Sequence, residues 1–226
     1  MKPIRRLMLG RLLFNKGLYQ YFDALFIAMD TLRTSGLVEQ VTWHTRNGDP
    51  VDFAREKCVD AMMAEGCDAI VWIDTDLIVP PDALVRLVRM SNAGYPIAGG
   101  LYRRAMYDRD SQHLLTRTDR AEWATLEELR ELAKGGVTQV AMTAGGFTIV
   151  RREVYDLLRA KNGPPWYSCR DHETGDWPIE DTFFYRRVHA ANIPVFVDPE
   201  LHAVHWSHFG PVPVTPDDPM MAEYVS

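Results

Sequence analysis

The stretch VWIDTDLIVPPDALVRLV, from Val71 to Val88, ends an apolar run in two aspartates one residue apart. Burying the carboxylates of Asp74 and Asp76 at a strand tip costs free energy, and their charges repel each other. In an extended segment both side chains project to the same side, because side chains alternate with period two. We therefore expect a cation between them, and two oxygen ligands on one face suit a hard divalent metal that also binds phosphate.

An alternative interpretation is a strand-end turn in which the two aspartates cap the following helix. A lone DxD sequence is a weak signal, because it occurs often by chance. Here it follows an apolar strand and precedes Pro80-Pro81 and an amphipathic helix, which favours the metal interpretation.

Apolar runs alternate with helical patterns along the chain, which is typical of a mostly parallel sheet covered by helices. Strands are predicted over 6–14, 38–44, 69–73, 95–102, 137–150 and, as the last, 193–199. Helices are predicted over 19–34, 51–65, 154–160 and 179–191, with one more starting at Pro81 and a short one behind a Thr125/Glu128 capping box. The predicted fold class is therefore α/β, a single Rossmann-like domain over 1–226. Its ligands should bind beyond the carboxyl ends of the strands.

The amino-acid composition bears on the class of function. The 226 residues are 46% hydrophobic, and 25 Lys+Arg against 31 Asp+Glu give a net charge of -6. That charge is not typical of a protein that binds duplex DNA through its phosphates, although it does not exclude a local basic groove. The three cysteines form no CxxC pair and indicate reduced thiols.

The amino-terminal sequence imitates a signal peptide, but Arg11 interrupts its apolar run and no small-residue cleavage site follows. No apolar stretch approaches the ~20 residues that cross a bilayer. We expect a soluble, cytoplasmic protein without a membrane span.

A second carboxylate pair, Glu180-Asp181, falls at the start of a predicted helix. The helix dipole stabilises negative charge there, so capping alone could explain the pair. The functional interpretation is a general base near the reacting carbon.

Three histidines, His202, His205 and His208, follow the last predicted strand. On a strand His205 would face away from the other two, so three converging ligands are not expected. Gly145-Gly146 interrupts another strand and indicates a simple bulge or a close approach by substrate. Three aromatic side chains could stack on a sugar or a base, or pin a loop to the core; they are Trp166, Tyr167 and Trp177.

Four segments together resemble the GT-A glycosyltransferases, in particular family 2-like bacterial and phage enzymes and Anp1-type mannosyltransferases. AREKCVDAMMAEGCDAIVWIDTDLIVPPDALVRLV (54–88) is similar to their nucleotide-binding half. AGGFTIVRREVYDLL (144–158), EDTFFYRRVHAANIPVFVDP (180–199) and VDPELHAVHWSHFG (197–210) follow in the family's order. The resemblance covers roughly 50–210, and it rests on order and spacing rather than on one motif.

The resemblance implies a division of the chain. It assigns about 1–105 to a nucleotide-sugar-binding half and 137–210 to an acceptor-side half. The polar and charged residues of 106–136 indicate a surface insertion, and the four prolines after Gly210 indicate an irregular tail over 211–226. Gly145 and Gly146 would line the acceptor side.

The resemblance also implies roles for the site residues. Asp76 would bind Mn²⁺ or Mg²⁺ with His205, while His208 is the reserve ligand. Asp74 would contact the metal or the donor's ribose and sugar, as part of a donor-binding set with Thr75 and Arg55. For Arg55, an ordinary solvated helix arginine is the alternative.

Asp181, with Glu180, would be the base that takes the acceptor proton. In an enzyme that retains anomeric configuration, the pair would only position the substrate.

The activity implied is a metal-dependent hexosyl- or pentosyltransferase that uses a UDP- or GDP-sugar. Its acceptor would be a glycan, a protein or a modified nucleobase. One alternative is a sugar-phosphate nucleotidyltransferase, but its Gly-rich, Arg-containing loop after the first strand is poorly matched by GRLLFNKG (10–17). A second alternative is a GT-A module that binds without turnover.

Overall fold

The computed structural model describes residues 2–13, 19–103, 116–117, 123–170, 179–207 and 210–215. Its strands are β1 (Arg6–Leu13), β2 (Gln40–Asn47), β3 (Ala69–Ile73), β4 (Leu77–Ile78), β5 (Ile97–Leu101), β6 (Thr116–Arg117), β7 (Thr138–Val140), β8 (Met142–Thr143), β9 (Phe147–Arg151), β10 (Val195–His202), β11 (Val204–Ser207) and β12 (Gly210–Val212). Its helices are α1 (Tyr19–Ser35), α2 (Val51–Ala64), α3 (Ala83–Asn92), α4 (Leu126–Ala133), α5 (Arg152–Asn162) and α6 (Glu180–Ala190). Most of the predicted polar insertion, together with Trp177 and His208, lies outside the described residues.

The central sheet has seven strands in the order β2-β1-β3-β9-β5-β10-β7. β1 is parallel to β2 and β3, and β10 is parallel to β5. β9 lies antiparallel between β3 and β5, and β7 is antiparallel to β10. β1, β2, β3, β5 and β10 therefore share one direction, and the predicted mostly parallel α/β sheet is confirmed.

Because successive side chains of a strand point to opposite faces, the hydrophobic core lies on both faces of this sheet. Within β3, Ile70 and Trp72 pack on one face with α2, α5 and α6. Ala69, Val71 and Ile73 pack on the other face with α1 and α3. All five residues of β3 are buried, which is what a central strand covered on both faces requires.

Local signals placed several elements correctly. β3 has the predicted bounds, and the capping box of α4 is present, with Glu128 N donating to Thr125 Oγ1 at 3.3 Å. α3 begins at Ala83 rather than at Pro81, because Ala83 N donates to Pro80 O (3.0 Å) in a turn that precedes the helix.

The predicted last strand, 193–199, is not the last one. β10 continues to His202, and β11 and β12 follow it. β12 (Gly210–Val212) includes the first two residues of the tail predicted over 211–226. β11 lies between β12 and β4 in a small antiparallel sheet, and these pairings supply the backbone partners that the local sequence does not reveal.

No helix in the described ranges is long and apolar enough to span a membrane.

We predict that Gly10→Ala destabilises the fold, because a Cβ at Gly10 would lie 2.6 Å from the Cε3 ring atom of Trp72. Overpacking of this kind costs about 1–3 kcal/mol. Chemical denaturation measures the resulting decrease in the free energy of unfolding. Gly136→Ala is the matched control, since its Cβ meets nothing nearer than Ala133 O at 3.6 Å. Equal unfolding free energies for the two variants would contradict the prediction.

Candidate active site

The DxD sequence forms a turn directly after β3. Leu77 N donates to Asp74 O at 3.0 Å, which closes a four-residue turn, and Thr75 Oγ1 donates to Leu12 O at 3.2 Å. The extended geometry predicted for Asp74 and Asp76 is therefore wrong, because the chain must reverse here to enter β4. The capping alternative is also wrong, since Asp82 is the N-cap residue of α3.

The turn places Asp76 next to His205. β11 pairs with β4 so that His205 lies opposite Leu77, and Trp206 N donates to Asp76 O at 2.7 Å. The Nε2 atom of His205 is 3.2 Å from Asp76 Oδ2. The structure thus brings together two residues that are 129 positions apart in sequence.

The orientation of the His205 ring is fixed by its other nitrogen. Nδ1 lies 2.8 Å from the carbonyl oxygen of Arg103. A carbonyl only accepts hydrogen bonds, so Nδ1 carries the proton and Nε2 faces the Asp76 carboxylate. A histidine held in this way by a backbone carbonyl has the geometry of a metal ligand.

Asp74 has a different hydrogen-bond partner. Its Oδ1 atom is 3.5 Å from Nη2 of Arg55. In the described part of the chain, no group of three or more His, Cys, Asp or Glu is arranged to hold a metal, and the three-ligand set of Asp74, Asp76 and His205 stays a prediction. His202 is also directed elsewhere, since its Nε2 contacts Pro199 O.

Arg55 is the centre of a second cluster. Its side chain is only 2% exposed, and its Nε is 3.3 Å from Glu180 Oε1. Its Nη2 lies 3.5 Å from Asp74 Oδ1 and 3.8 Å from Asp181 Oδ1. The guanidinium carbon also lies 4.9 Å from the ring centroid of Trp72 and 5.7 Å from that of Tyr167. The alternative of a solvated helix arginine is therefore wrong. The guanidinium lies among Asp74, Glu180 and Asp181, whereas the cation was expected between Asp74 and Asp76.

Burial raises the proton affinity of the cluster's carboxylates. It raises the pKa of Asp74 to about 6, against the opposing effect of Arg55. Burial likewise raises the pKa of Asp181 against the effect of Arg55, while burial and the charge of Asp181 together raise that of Glu180. A carboxylate with raised proton affinity is suited to general base chemistry.

Gly145-Gly146 gives two of these carboxylates room. Since β9 runs antiparallel to β3, the start of β9 lies beside the end of β3. Gly145 N donates to Asp181 Oδ2 at 2.8 Å, and Asp74 N donates to Gly146 O at 2.9 Å. A Cβ at Gly145 would lie 2.9 Å from Asp181 Cγ, and one at Gly146 would overlap the Asp74 carboxylate. Both glycines are thus closely approached by the protein's own carboxylates, and the close approach by a substrate stays a prediction.

Sequence reasoning missed Tyr102. Its ring packs edge-on against His205, with centroids 5.3 Å apart. Its hydroxyl lies 2.7 Å from where a Gly146 Cβ would be. The signal that could have found it is position, because Tyr102 follows β5 directly and the ends of parallel strands meet at one edge of the sheet.

The described part of the Pro/Gly loop is attached to the core. Trp166 and Tyr167 are buried, and their backbone N–H groups donate to Glu56 Oε1 at 2.6 and 2.7 Å. Tyr167 stacks on Phe184 with centroids 4.8 Å apart. For these two aromatic residues, the interpretation as loop anchors is confirmed.

No protein-family profile matches this sequence. A curated relative, the GTP 3',8-cyclase of Erythrobacter litoralis (strain HTCC2594), is 56% identical over 45 residues. That match covers 18% of this chain and 13% of the cyclase, so it carries no argument about the whole protein.

Solved structures are similar over most of the chain. A197 from STIV matches with a TM-score of 0.60 and 17% identity, over 90% of this chain and 86% of that one. GalNAc-T7, solved with UDP, GalNAc and Mn²⁺, matches with a TM-score of 0.50 and 14% identity, over 87% of this chain and 42% of that one. A UDP-glucose pyrophosphorylase complexed with UDP-glucose reaches a TM-score of 0.45 at 10% identity. The first two likenesses show a shared mixed α/β fold.

We predict that Glu56 makes stability depend on pH. Burial raises the pKa of Glu56 from 4.5 to about 7, so between these values the folded chain binds more proton than the unfolded chain. The unfolding free energy should therefore fall as pH rises from 4.5 to 7. Glu56→Gln keeps an acceptor for both N–H groups but does not titrate. The decrease in unfolding free energy that Glu56 causes should therefore be absent in this variant. Urea denaturation across the range measures it, and identical pH slopes for variant and wild type would refute the prediction.

Proposed function

We propose that this chain is a metal-dependent glycosyltransferase that moves a sugar from a nucleotide-diphosphate sugar to an acceptor hydroxyl. The observation that carries the proposal is the Asp76–His205 pair beside the Arg55 carboxylate cluster, at the carboxyl end of β3. The fold supports it, because GalNAc-T7 has a similar fold and was solved with UDP, GalNAc and Mn²⁺.

The residues present fit a divalent cation. Asp76 would supply a carboxylate oxygen and His205 its Nε2 atom, while Arg103 O holds the other ring nitrogen. Two protein ligands leave most positions of Mn²⁺ or Mg²⁺ to phosphate oxygens and water. When bound, such a cation offsets the charge that develops on a diphosphate leaving group.

Asp181 is the proposed base. Gly145 N holds its Oδ2 atom, while its buried Oδ1 has no hydrogen-bond partner in the described structure. Oδ1 would accept the proton of the acceptor hydroxyl once the bound acceptor has access to it, and burial raises the pKa of the group. This role belongs to transfer with inversion of anomeric configuration; with retention, Asp181 and Glu180 position the substrate.

The remaining donor-binding residues have distinct tasks. Asp74 would bind the donor's ribose or sugar, and Thr75 holds the turn in place through Leu12 O. Arg55 orders the three carboxylates, and its buried Nη1 atom has no hydrogen-bond partner in the described structure; a contact with the donor would require this atom to become accessible.

In a nucleotidyltransferase, the segment 10–17 would form a Gly-rich loop after the first strand. In this structure Gly10–Leu13 belong to β1, and 14–17 lie outside the described residues. We therefore keep transfer to an acceptor as the proposed activity. Release of nucleotide diphosphate from UDP- and GDP-sugars with Mn²⁺ tests it. Donor binding without any turnover, across acceptor screens, would favour a binding module instead.

Asp76→Ala should abolish Mn²⁺-dependent donor binding and activity while leaving the fold intact, because Asp76 lies in a turn and its side chain is 52% exposed. Calorimetry with the donor, with and without Mn²⁺, measures the effect. Asp60→Ala is the matched control, since Asp60 only pairs with Lys57 on the surface of α2. Donor affinity equal to that of the wild type would remove Asp76 from the proposed metal site.

Asp181→Asn should bind the donor as the wild type does but transfer sugar about 100-fold more slowly, or slower still, because an amide cannot accept the hydroxyl proton. The amide oxygen can still accept from Gly145 N, so the local structure should persist. Single-turnover kinetics at saturating donor measures the transfer step. Wild-type turnover in this variant would exclude Asp181 as the base.

A further inference from the structure

Tyr102 lies between the two polar clusters of the site. On one side its ring packs edge-on against His205, with centroids 5.3 Å apart. On the other side its hydroxyl approaches Asp74, since a Cβ at Gly146 would lie 2.5 Å from Asp74 Cγ and 2.7 Å from the Tyr102 oxygen. Because Gly146 has no side chain, the carboxylate and the hydroxyl can share this space as neighbours.

The backbone around Tyr102 is held by hydrogen bonds to the segment that carries His205. Ala203 N donates to Leu101 O at 2.8 Å, and His205 Nδ1 donates to Arg103 O, also at 2.8 Å. The carbonyl groups on both sides of Tyr102 are thus fixed. A side chain on such a support loses little conformational freedom when it binds a ligand.

The Tyr102 hydroxyl has no hydrogen-bond partner among the described residues. The residue is only 6% exposed, but its oxygen is not one of the enclosed unpaired polar atoms, which include Arg55 Nη1 and Asp181 Oδ1. The oxygen therefore still contacts solvent. Burial and the charges of Asp74, Asp181 and Asp76 raise the pKa of Tyr102 well above its ordinary value, so the hydroxyl keeps its proton. A hydrogen-bond donor held in this way is available to an acceptor atom of a ligand.

We propose that the Tyr102 hydroxyl donates a hydrogen bond to the phosphate oxygen that leaves with the nucleoside diphosphate. This inference rests on the proposed function, in which the diphosphate lies at Asp76 and His205 and the ribose or sugar lies at Asp74. The hydroxyl is next to both sides, so it would meet the donor where the sugar joins the diphosphate. A neutral hydrogen-bond donor stabilises an oxygen on which negative charge develops.

The hydrogen bond would act while the leaving group departs. In transfer with inversion, the acceptor oxygen forms a bond to the anomeric carbon of the sugar, and Asp181 takes the proton of that oxygen. The bond between the anomeric carbon and the phosphate oxygen breaks, and its electron pair stays on the phosphate oxygen. Tyr102 keeps its proton, and its hydrogen bond strengthens as the charge on its acceptor grows. The products are the glycosylated acceptor and the nucleoside diphosphate.

The test compares Tyr102→Phe with the wild type, because phenylalanine keeps the ring against His205 and removes only the hydroxyl. Calorimetry with Mn²⁺ measures the affinities of UDP and GDP, and competition against each diphosphate measures those of UMP and GMP. Tyr102→Phe should weaken diphosphate binding about ten-fold or more and leave monophosphate binding within about two-fold, since only the diphosphate carries the contacted oxygen. Tyr95→Phe is the matched control, because it removes a hydroxyl at the other end of β5, where the ring of Tyr95 packs on Phe196.

The outcomes separate this inference from the proposed function. Equal diphosphate affinity in Tyr102→Phe and the wild type, with binding still dependent on Mn²⁺, overturns the role of Tyr102 and leaves the proposed function standing. An equal loss for diphosphate and monophosphate also overturns that role, because the contact would then be to the nucleoside or to its first phosphate. Failure of both UDP and GDP to bind the wild type with Mn²⁺ overturns the inference and the proposed function together. Phenylalanine fills the same space as tyrosine, so the variant should fold, which a thermal melt verifies.

Discussion

A single buried guanidinium organises the polar end of the sheet. Arg55 joins the turn after β3 to the first turn of α6, because it is the shared counterion of Asp74, Glu180 and Asp181. Breaking a buried ion pair on one side leaves uncompensated charge, so each of these carboxylates depends on Arg55 for its place. The rings of Trp72 and Tyr167 lie close to the guanidinium, where aromatic faces attract a cation.

The DxD sequence links two different clusters. A four-residue turn separates its aspartates, so Asp74 joins the arginine cluster and Asp76 joins His205. The Asp74 side of the turn is thereby charge-compensated and 34% exposed, whereas the Asp76 side chain is 52% exposed. In the proposed function, the tasks of ordering the acid–base groups and of binding a metal would fall to residues only two positions apart.

The sequence alone could predict those features that depend on residues close together in the chain. The apolar run of β3, the periodicity of the helices and the Thr125/Glu128 capping box are all local, and each was placed correctly. The Gly145-Gly146 interruption also signalled a close approach. Its partners could not be named, because they are carboxylates contributed by the end of β3 and by α6, 71 positions before Gly145 and 36 after it.

The features that the sequence did not predict depend on residues far apart in the chain. The reversal at Asp74 depends on β4 finding β11, and the burial of Arg55 depends on α6 and on the Tyr167 loop packing over α2. Neither partner is visible in a window of ten residues. The assigned roles of the site residues, and the division into two halves with an insertion and a tail, stay predictions.

The short ladder between β4 and β11 has a consequence for the biosynthesis of this protein. The carboxylate at position 76 emerges from the ribosome long before the imidazole at position 205, and only the pairing of Leu77 with His205 sets them side by side. A nascent chain, or one truncated before β11, would have the sheet strands around Asp76 but no histidine beside it. In the proposed function, metal-dependent donor binding would therefore begin only once translation has passed β11, and chains terminated earlier would lack it.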